Sequence, residues 1–428
     1  MLGADPSEAA ALAARADDDA ASPVVLVVPL APQRSGNGLA MRAGMLLEAL
    51  AGRWPVELVV VPVSGPPSSG GWTGGLAQSV TVIAPVDEAS ARSHVTRQLA
   101  DPTLRSRLAA SAPLSALVSA AAPTLAHEAL AALRSGGRRA RAVFVMRGYL
   151  LPFGATLARL LEVRPVIVDL DDDDEAYARS IGADDEADAA ARLARAWLPD
   201  ADVVSAAAGD EARAIAARYG LTAVVTLPNA VRLPAIAPPA PPGDGRLLFV
   251  GNLTYGPNVE AARLLVEHVL PLVRRSHPDA TLDLVGRDDG RLADLRTPGV
   301  RVHGLVEELE PHYWATDVVV APVLHGGGTR IKVLEAFAYQ RPVVATPRAV
   351  AGLAVQDGRE VMLGESPQEL ARAVAALLDD PSLGARLAEH AARTLGARYV
   401  QTVVAPQVCD LVEVEHPAHP AAASVETT

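Results

Sequence analysis

The chain has 428 residues, half of them apolar, which is enough for roughly two or three domains with buried cores and excludes disorder of the whole. Its formal charge of −12 argues against a protein whose main task is to neutralise a nucleic-acid backbone. Of its 38 basic residues only one, Lys332, is lysine.

A lone cysteine, Cys409, cannot close an internal disulfide, and no Cys/His cluster has zinc spacing, so the expected metal complement is none. The N-terminus lacks a basic segment followed by an apolar one, and no stretch of about 18 uncharged apolar residues occurs. No transmembrane segment and a cytoplasmic location are expected.

Residues 1–22 and 417–428 carry no hydrophobic period and read as disordered tails. Between them the apolar run Val24–Pro29, a loop with Gly36 and Gly38, a helical pattern Leu39–Leu50 and the run Val56–Val63 form a strand–helix–strand unit. Short runs at Val80–Ala84, Ala142–Met146, Pro165–Leu170, Asp202–Ala206 and Ala223–Leu227 alternate with helical stretches, one to about Ala132 and one at Asp210–Tyr219. Strands apolar on both faces predict a parallel sheet covered by helices on both sides. This gives a first domain over 23–232.

The Pro-rich segment 233–245 is the predicted linker. A second series follows, with strands at Arg246–Val250, Thr281–Val285, Val300–His303, Asp317–Pro322 and Pro342–Ala345 and helices at Asn258–Ser276, Leu309–Ala315 and Thr329–Tyr339. The expected fold class is therefore α/β, two Rossmann-like domains facing each other across a cleft, the second over 246–395. Ligands of open α/β sheets bind outside the carboxyl ends of the strands.

The sharpest local signal is the strand–turn–helix–strand text APVLHGGGTRIKVLEAFAYQRPVVAT, residues 321–346. Glycines Gly326, Gly327 and Gly328 let backbone approach a ligand, and a helix entered at Thr329 offers free N–H groups to a phosphate. Arg330 and Lys332 lie in that first turn, and Glu335, three residues after Lys332, shares its face. A cation with a carboxylate one turn deeper suits a nucleoside diphosphate and its ribose. An ordinary dehydrogenase is excluded, because no GxGxxG joins the first strand to its helix with an acid about 20 residues on.

Together with LPNAV (227–231), LLFVGNLTYGPNVEA (247–261), DLVGR (283–287) and VRVHGLVEEL (300–309), this text resembles the donor domain of retaining glycosyltransferases of family 4, which have the GT-B architecture. The Asn-bearing GNLTYGPN loop is most similar to a bacterial exopolysaccharide or secondary-metabolite type. The resemblance implies transfer of a hexosyl group from a UDP- or GDP-sugar to a hydroxyl of a small-molecule or glycan acceptor, with no cofactor beyond the nucleotide sugar. It makes 23–232 the acceptor-binding domain and 246–395 the donor-binding domain, with 396–416 a helix crossing back to the first.

Lys332 and Arg330 would then stabilise the leaving diphosphate and Glu335 would accept from ribose hydroxyls. Gly304, Leu305 and Val306 would meet the base. Gly36, Gly38, Gly251, Asn252 and the Gly326–Thr329 turn would line the phosphates and sugar. The family often has an Arg after Gly251 and a Lys six residues on; Asn252 and Asn258 stand there instead, so the phosphate charge falls on Arg330 and Lys332. A Glu that many members carry eight residues before Glu335 is here Gly327.

In the first half, Arg147 and Tyr149 follow one strand, and Asp169, Asp171 and Asp172 end the next, so both groups are expected to face the cleft and bind acceptor. Between Asp169 and Asp188 there are ten acids and one base. This run reads as a solvated loop, a weak divalent site or an acidic wall attracting a cationic acceptor; the metal-independent family favours the last. Two further possibilities stay open: a catalytically inactive donor-fold subunit that binds or activates, and a nucleotide-sugar epimerase.

Overall fold

The computed structural model describes residues 22–63, 71–83, 114–134, 139–325 and 330–414. Apart from Ser22, both expected tails lie outside these residues, as does the predicted turn Gly326, Gly327, Gly328 and Thr329.

Seven parallel strands form the first sheet: β1 (Val24–Val28), β2 (Val56–Val60), β3 (Ser79–Val82), β4 (Ala142–Met146), β5 (Val166–Asp169), β6 (Val203–Ala206) and β7 (Val225–Thr226), in the order β3-β2-β1-β4-β5-β6-β7. The second sheet has six: β8 (Arg246–Val250), β9 (Thr281–Val285), β10 (Val300–Gly304), β11 (Val318–Ala321), β12 (Val343–Ala345) and β13 (Met362–Leu363), in the order β10-β9-β8-β11-β12-β13, again parallel. β1 is VVLVV, buried at every position, because a central parallel strand is covered on both faces. In each sheet the order reverses beside the first strand, between β1 and β4 and between β8 and β11. Those two switch points open crevices at the carboxyl ends of the strands.

The helices that matter for the site are α1 (Gly38–Ala51), α2 (Leu114–Arg134), α3 (Leu151–Leu161), α4 (Asp174–Ser180), α5 (Asp184–Trp197), α6 (Gly209–Tyr219), α7 (Gly256–Leu264), α8 (Ile331–Ala338), α9 (Pro367–Asp379), α10 (Pro381–Arg398) and α11 (Gln401–Glu413). Asn37 starts α1 by accepting from the Leu39 amide, and Ser366 with Glu369 forms a capping box on α9. The single helix expected over Asn258–Ser276 is interrupted by a π turn at Leu265–Val269. Pro271 explains the break, since it lacks an N–H and its ring clashes with the carbonyl four residues back.

The segment 233–245 docks on the second domain: Asp317 accepts from the Gly243 and Arg246 amides at 2.6 and 2.9 Å, and Arg341 donates to the Pro239 carbonyl at 2.9 Å. The chain recrosses beside its first crossing, where the Val231 amide donates to Tyr399 at 2.9 Å. Residues 396–398 still belong to α10, so the recrossing helix begins at Gln401 rather than at 396. Val404, Val408, Cys409, Leu411 and Val412 of α11 are buried in the same core as β1 and α1. The last described helix is thus part of the first domain's packing.

Candidate functional site

β8 ends in Gly251 and Asn252. A Cβ on Gly286, whose φ is 143°, would fall 1.8 Å from the Gly251 carbonyl, so glycine here lets the exits of β8 and β9 touch. Asn252 accepts from the Thr254 amide and hydroxyl, which turns the chain into α7. Its own carbonyl accepts from the Asn258 side-chain amide at 2.9 Å.

α8 enters this crevice from the other side of the switch point. The helix starts at Ile331, not at Thr329: Arg330 has a φ of 28° and lies outside the helix. Lys332 follows in the first turn. Its Nζ donates to Asn258 Oδ1 at 2.6 Å and sits 4.9 Å from the centre of the Phe249 ring. One turn deeper, Glu335 accepts from the Tyr313 hydroxyl at 3.3 Å, and Tyr313 stacks on Tyr339 with centroids 4.5 Å apart. Burial pushes the Lys332 ammonium down to about 8 against the pull of Glu335. Burial likewise pushes the Glu335 carboxyl up to about 7, against the pull of Tyr313 and Lys332. A cation and an acid are therefore held side by side, each less firmly charged than in water.

Gly304, with a φ of 76°, closes β10, accepts from the Gly286 amide at 3.0 Å and leaves Leu305 73% exposed. Val306 packs against the core beneath α8. Gly36, with a φ of 99°, and Gly38, the first residue of α1, bring the other domain's glycine loop to the carboxyl end of β1.

The acidic run is divided by the fold. Asp169 does not face the cleft: it is fully buried, gripped through both oxygens by Arg42 at 2.7 Å and by Ser205 at 2.8 Å. Arg42 also donates to Asn229 and to the Leu227 carbonyl, each at 2.9 Å, tying α1 to the start of the interdomain crossing. Asp171 is buried as well, 3.4 Å from Arg42 and 3.5 Å from Arg147. Burial pushes its carboxyl up to about 7 against these two arginines. Arg147 also pairs with Asp174, and Arg218 with Asp173 and Glu175. Tyr149 is partly buried against the first core, with the Arg147 guanidinium over its ring at 5.6 Å.

Among the described residues no salt bridge engages Asp172 or Glu211, and both accept from the Asp173 amide, at 3.1 and 2.9 Å. Glu211, on α6, was not singled out by the sequence. Burial and Asp172 push it up to about 7, against the pull of Arg330 of the other domain. Tyr177 and Tyr255 also meet, with ring centroids 6.1 Å apart. Arg42 carried a sequence signal that went unread: a single charge inside the otherwise apolar stretch GLAMRAGMLL. Among the described residues no group of three or more His, Cys, Asp or Glu could hold a metal ion, and no helix is long and apolar enough to cross a membrane.

Two parallel-sheet domains opposed across a cleft, with the terminal helix returned to the first, constitute a GT-B fold. Residues 244–380 match the family described as Glycosyl transferases group 1. Over 281 residues the chain is 28% identical to the D-inositol 3-phosphate glycosyltransferase of Kineococcus radiotolerans, an alignment that takes in 56% of this chain and only 62% of that relative's length. Sucrose-phosphate synthase from Thermosynechococcus elongatus superposes with a TM-score of 0.65 at 18% identity, over 92% of this chain and 98% of that one. Anabaena Alr3699/HepE, solved with UDP and glucose, superposes with a TM-score of 0.63 at 17% identity, over 92% and 99%. At such identities the superpositions establish the fold.

Proposed function

We propose that the chain is a metal-independent, retaining glycosyltransferase that moves a hexosyl group from a UDP- or GDP-sugar to an acceptor hydroxyl. The observation that carries this reading is the half-buried Lys332–Glu335 pair at the mouth of α8, outside the carboxyl ends of β8 and β11. The family match over 244–380 supports it, and the UDP held by Anabaena Alr3699/HepE favours the uridine nucleotide.

In this reading the diphosphate leaves with its charge developing against the Lys332 ammonium and the Arg330 guanidinium. Preorganised cations of this kind act where charge grows in the transition state. Glu335 accepts from the ribose hydroxyls, and the exposed backbone at Gly304, Leu305 and Val306 borders the base. Gly36, Gly38, Gly251 and Asn252 enclose the phosphates and the sugar. The acceptor lies on the first domain's side, before Arg147, Asp172 and Glu211. Because Asp169, Asp171, Asp173 and Asp174 are held by arginines, any attraction for a cationic acceptor rests on Asp172 and Glu211.

Calorimetric titration with UDP, GDP and dTDP, followed by mass-spectrometric screening of nucleotide sugars, tests this. Binding of UDP or GDP, transfer to an added acceptor, and loss of transfer in Lys332→Ala are expected. Wild-type rates in that variant would overturn it. Binding without turnover of any donor would instead indicate an inactive subunit, and release of nucleotide with no acceptor an epimerase.

A further inference from the structure

The neutral side chain of Asn258 is held at both ends. Its amide donates to the Asn252 carbonyl at 2.9 Å and its oxygen accepts from Lys332 Nζ at 2.6 Å, beside Gly251, where a Cβ would crowd it at 3.0 Å. A residue fixed in this way cannot swing to follow a mobile partner. Lys332, by contrast, has four rotatable side-chain bonds and three donor hydrogens. One hydrogen is committed to Asn258, and the Phe249 ring lies on another flank at 4.9 Å. The remaining donors are thereby restricted in direction, and they lie at the switch-point crevice of the second sheet.

We propose that Asn258 is the positioning residue of Lys332, a neutral clamp that aims the ammonium at the diphosphate and favours its charged form. The proposal rests on the nucleotide-sugar reading for what Lys332 grips, but not for the clamp itself. The groups facing the ammonium can be named. Glu335 on its own helix is the charged one, with Phe249 from β8 and Asn258 from α7; Tyr313 reaches Glu335 rather than Lys332. An acceptor oxygen on the charged form raises a lysine's pKa, so losing it lowers the pKa and replacing it by a carboxylate raises it.

The sole lysine makes the test specific. In protein labelled with ¹³C-lysine, the side-chain signal belongs to Lys332 alone and can be titrated in the full chain without any ligand. Asn258→Ala is expected to move the titration to lower pH and Asn258→Asp, of the same shape, to higher pH, the Asp variant melting somewhat lower than wild type because it loses the donor to the Asn252 carbonyl. UDP affinity of Asn258→Ala should fall roughly tenfold at neutral pH, about the effect of one hydrogen bond to a charged group. Coincident titrations of wild type and Asn258→Ala, or shifts of both variants in one direction, would overturn the proposal. Opposite shifts with no binding of UDP, GDP or dTDP by any form would uphold the clamp while sinking the nucleotide reading.

Discussion

The two sheets share one strand order, yet their switch points dispose of charge in opposite ways. Beside β1, Arg42 is fully buried, with four hydrogen bonds to Asp169, Asn229 and the Leu227 carbonyl, so its charge is compensated inside the fold. Beside β8, Lys332 is half-buried against a neutral amide and a ring, with Glu335 one turn away and its carboxyl pushed up by burial. A paired charge in a low-dielectric interior organises structure; an incompletely compensated one keeps its field for a partner that has yet to arrive. The first crevice joins domains; the second is where the proposed function places the diphosphate.

The comparison breaks first at Arg42. Arg42→Met leaves Asp169 as an uncompensated buried charge and should cost about 3–5 kcal/mol of stability, read by chemical denaturation. A neutral effect would mean that the pair is not what organises the first crevice. Lys332→Ala should do the reverse: melting near wild type, with turnover reduced roughly 10²–10³-fold, the scale of removing one preorganised donor to a developing anion.

A pH series sharpens the same contrast. The Lys332 titration is pushed from 10.5 to about 8, and in the proposed function its charged form is the one that grips phosphate. Nucleotide affinity should therefore be full below pH 8 and decline as pH rises through it, well before an ordinary lysine deprotonates. An affinity flat to beyond pH 10 would show that Lys332 is not the grip.

Smaller effects are expected at the seam and in the outer support. Gly352 has a φ of 81°, and a Cβ there would lie 2.4 Å from the Ala208 side chain of the other domain. Gly352→Ala should push the domains apart, visible as a larger radius of gyration by small-angle scattering, at about 1–3 kcal/mol of stability. Tyr313→Phe removes the hydroxyl that favours the ionised form of Glu335. Its expected effect is a roughly two- to fivefold loss of nucleotide affinity near neutral pH. No loss would place the ribose elsewhere.

Much of this was legible in the sequence because it is local. β-Branched runs such as VVLVV can only be buried strands, alternation with helical patterns implies parallel sheets, and the glycine-rich text before α8 marked the second crevice. The acidic run was misread for the opposite reason. The six carboxylates among Asp169–Glu175 looked like one surface, but all except Asp172 are paired with an arginine from elsewhere in the chain: Arg42 for Asp169 and Asp171, Arg147 for Asp174, Arg218 for Asp173 and Glu175. Glu211 was missed because only the fold brings α6 beside the end of β5.

The sequence by itself determined all the strands but the short edge strand Met362–Leu363, the two crevices and the single lysine at the mouth of the second, since hydrophobic period and glycine placement act within a few residues of the backbone. Only the tertiary structure decided which charges are compensated. Arg42 lies 127 residues from Asp169, and Asn258 lies 74 from Lys332. Burial sets how much a charge matters, and the partner that closing of the fold brings within hydrogen-bond reach sets whether that charge remains available.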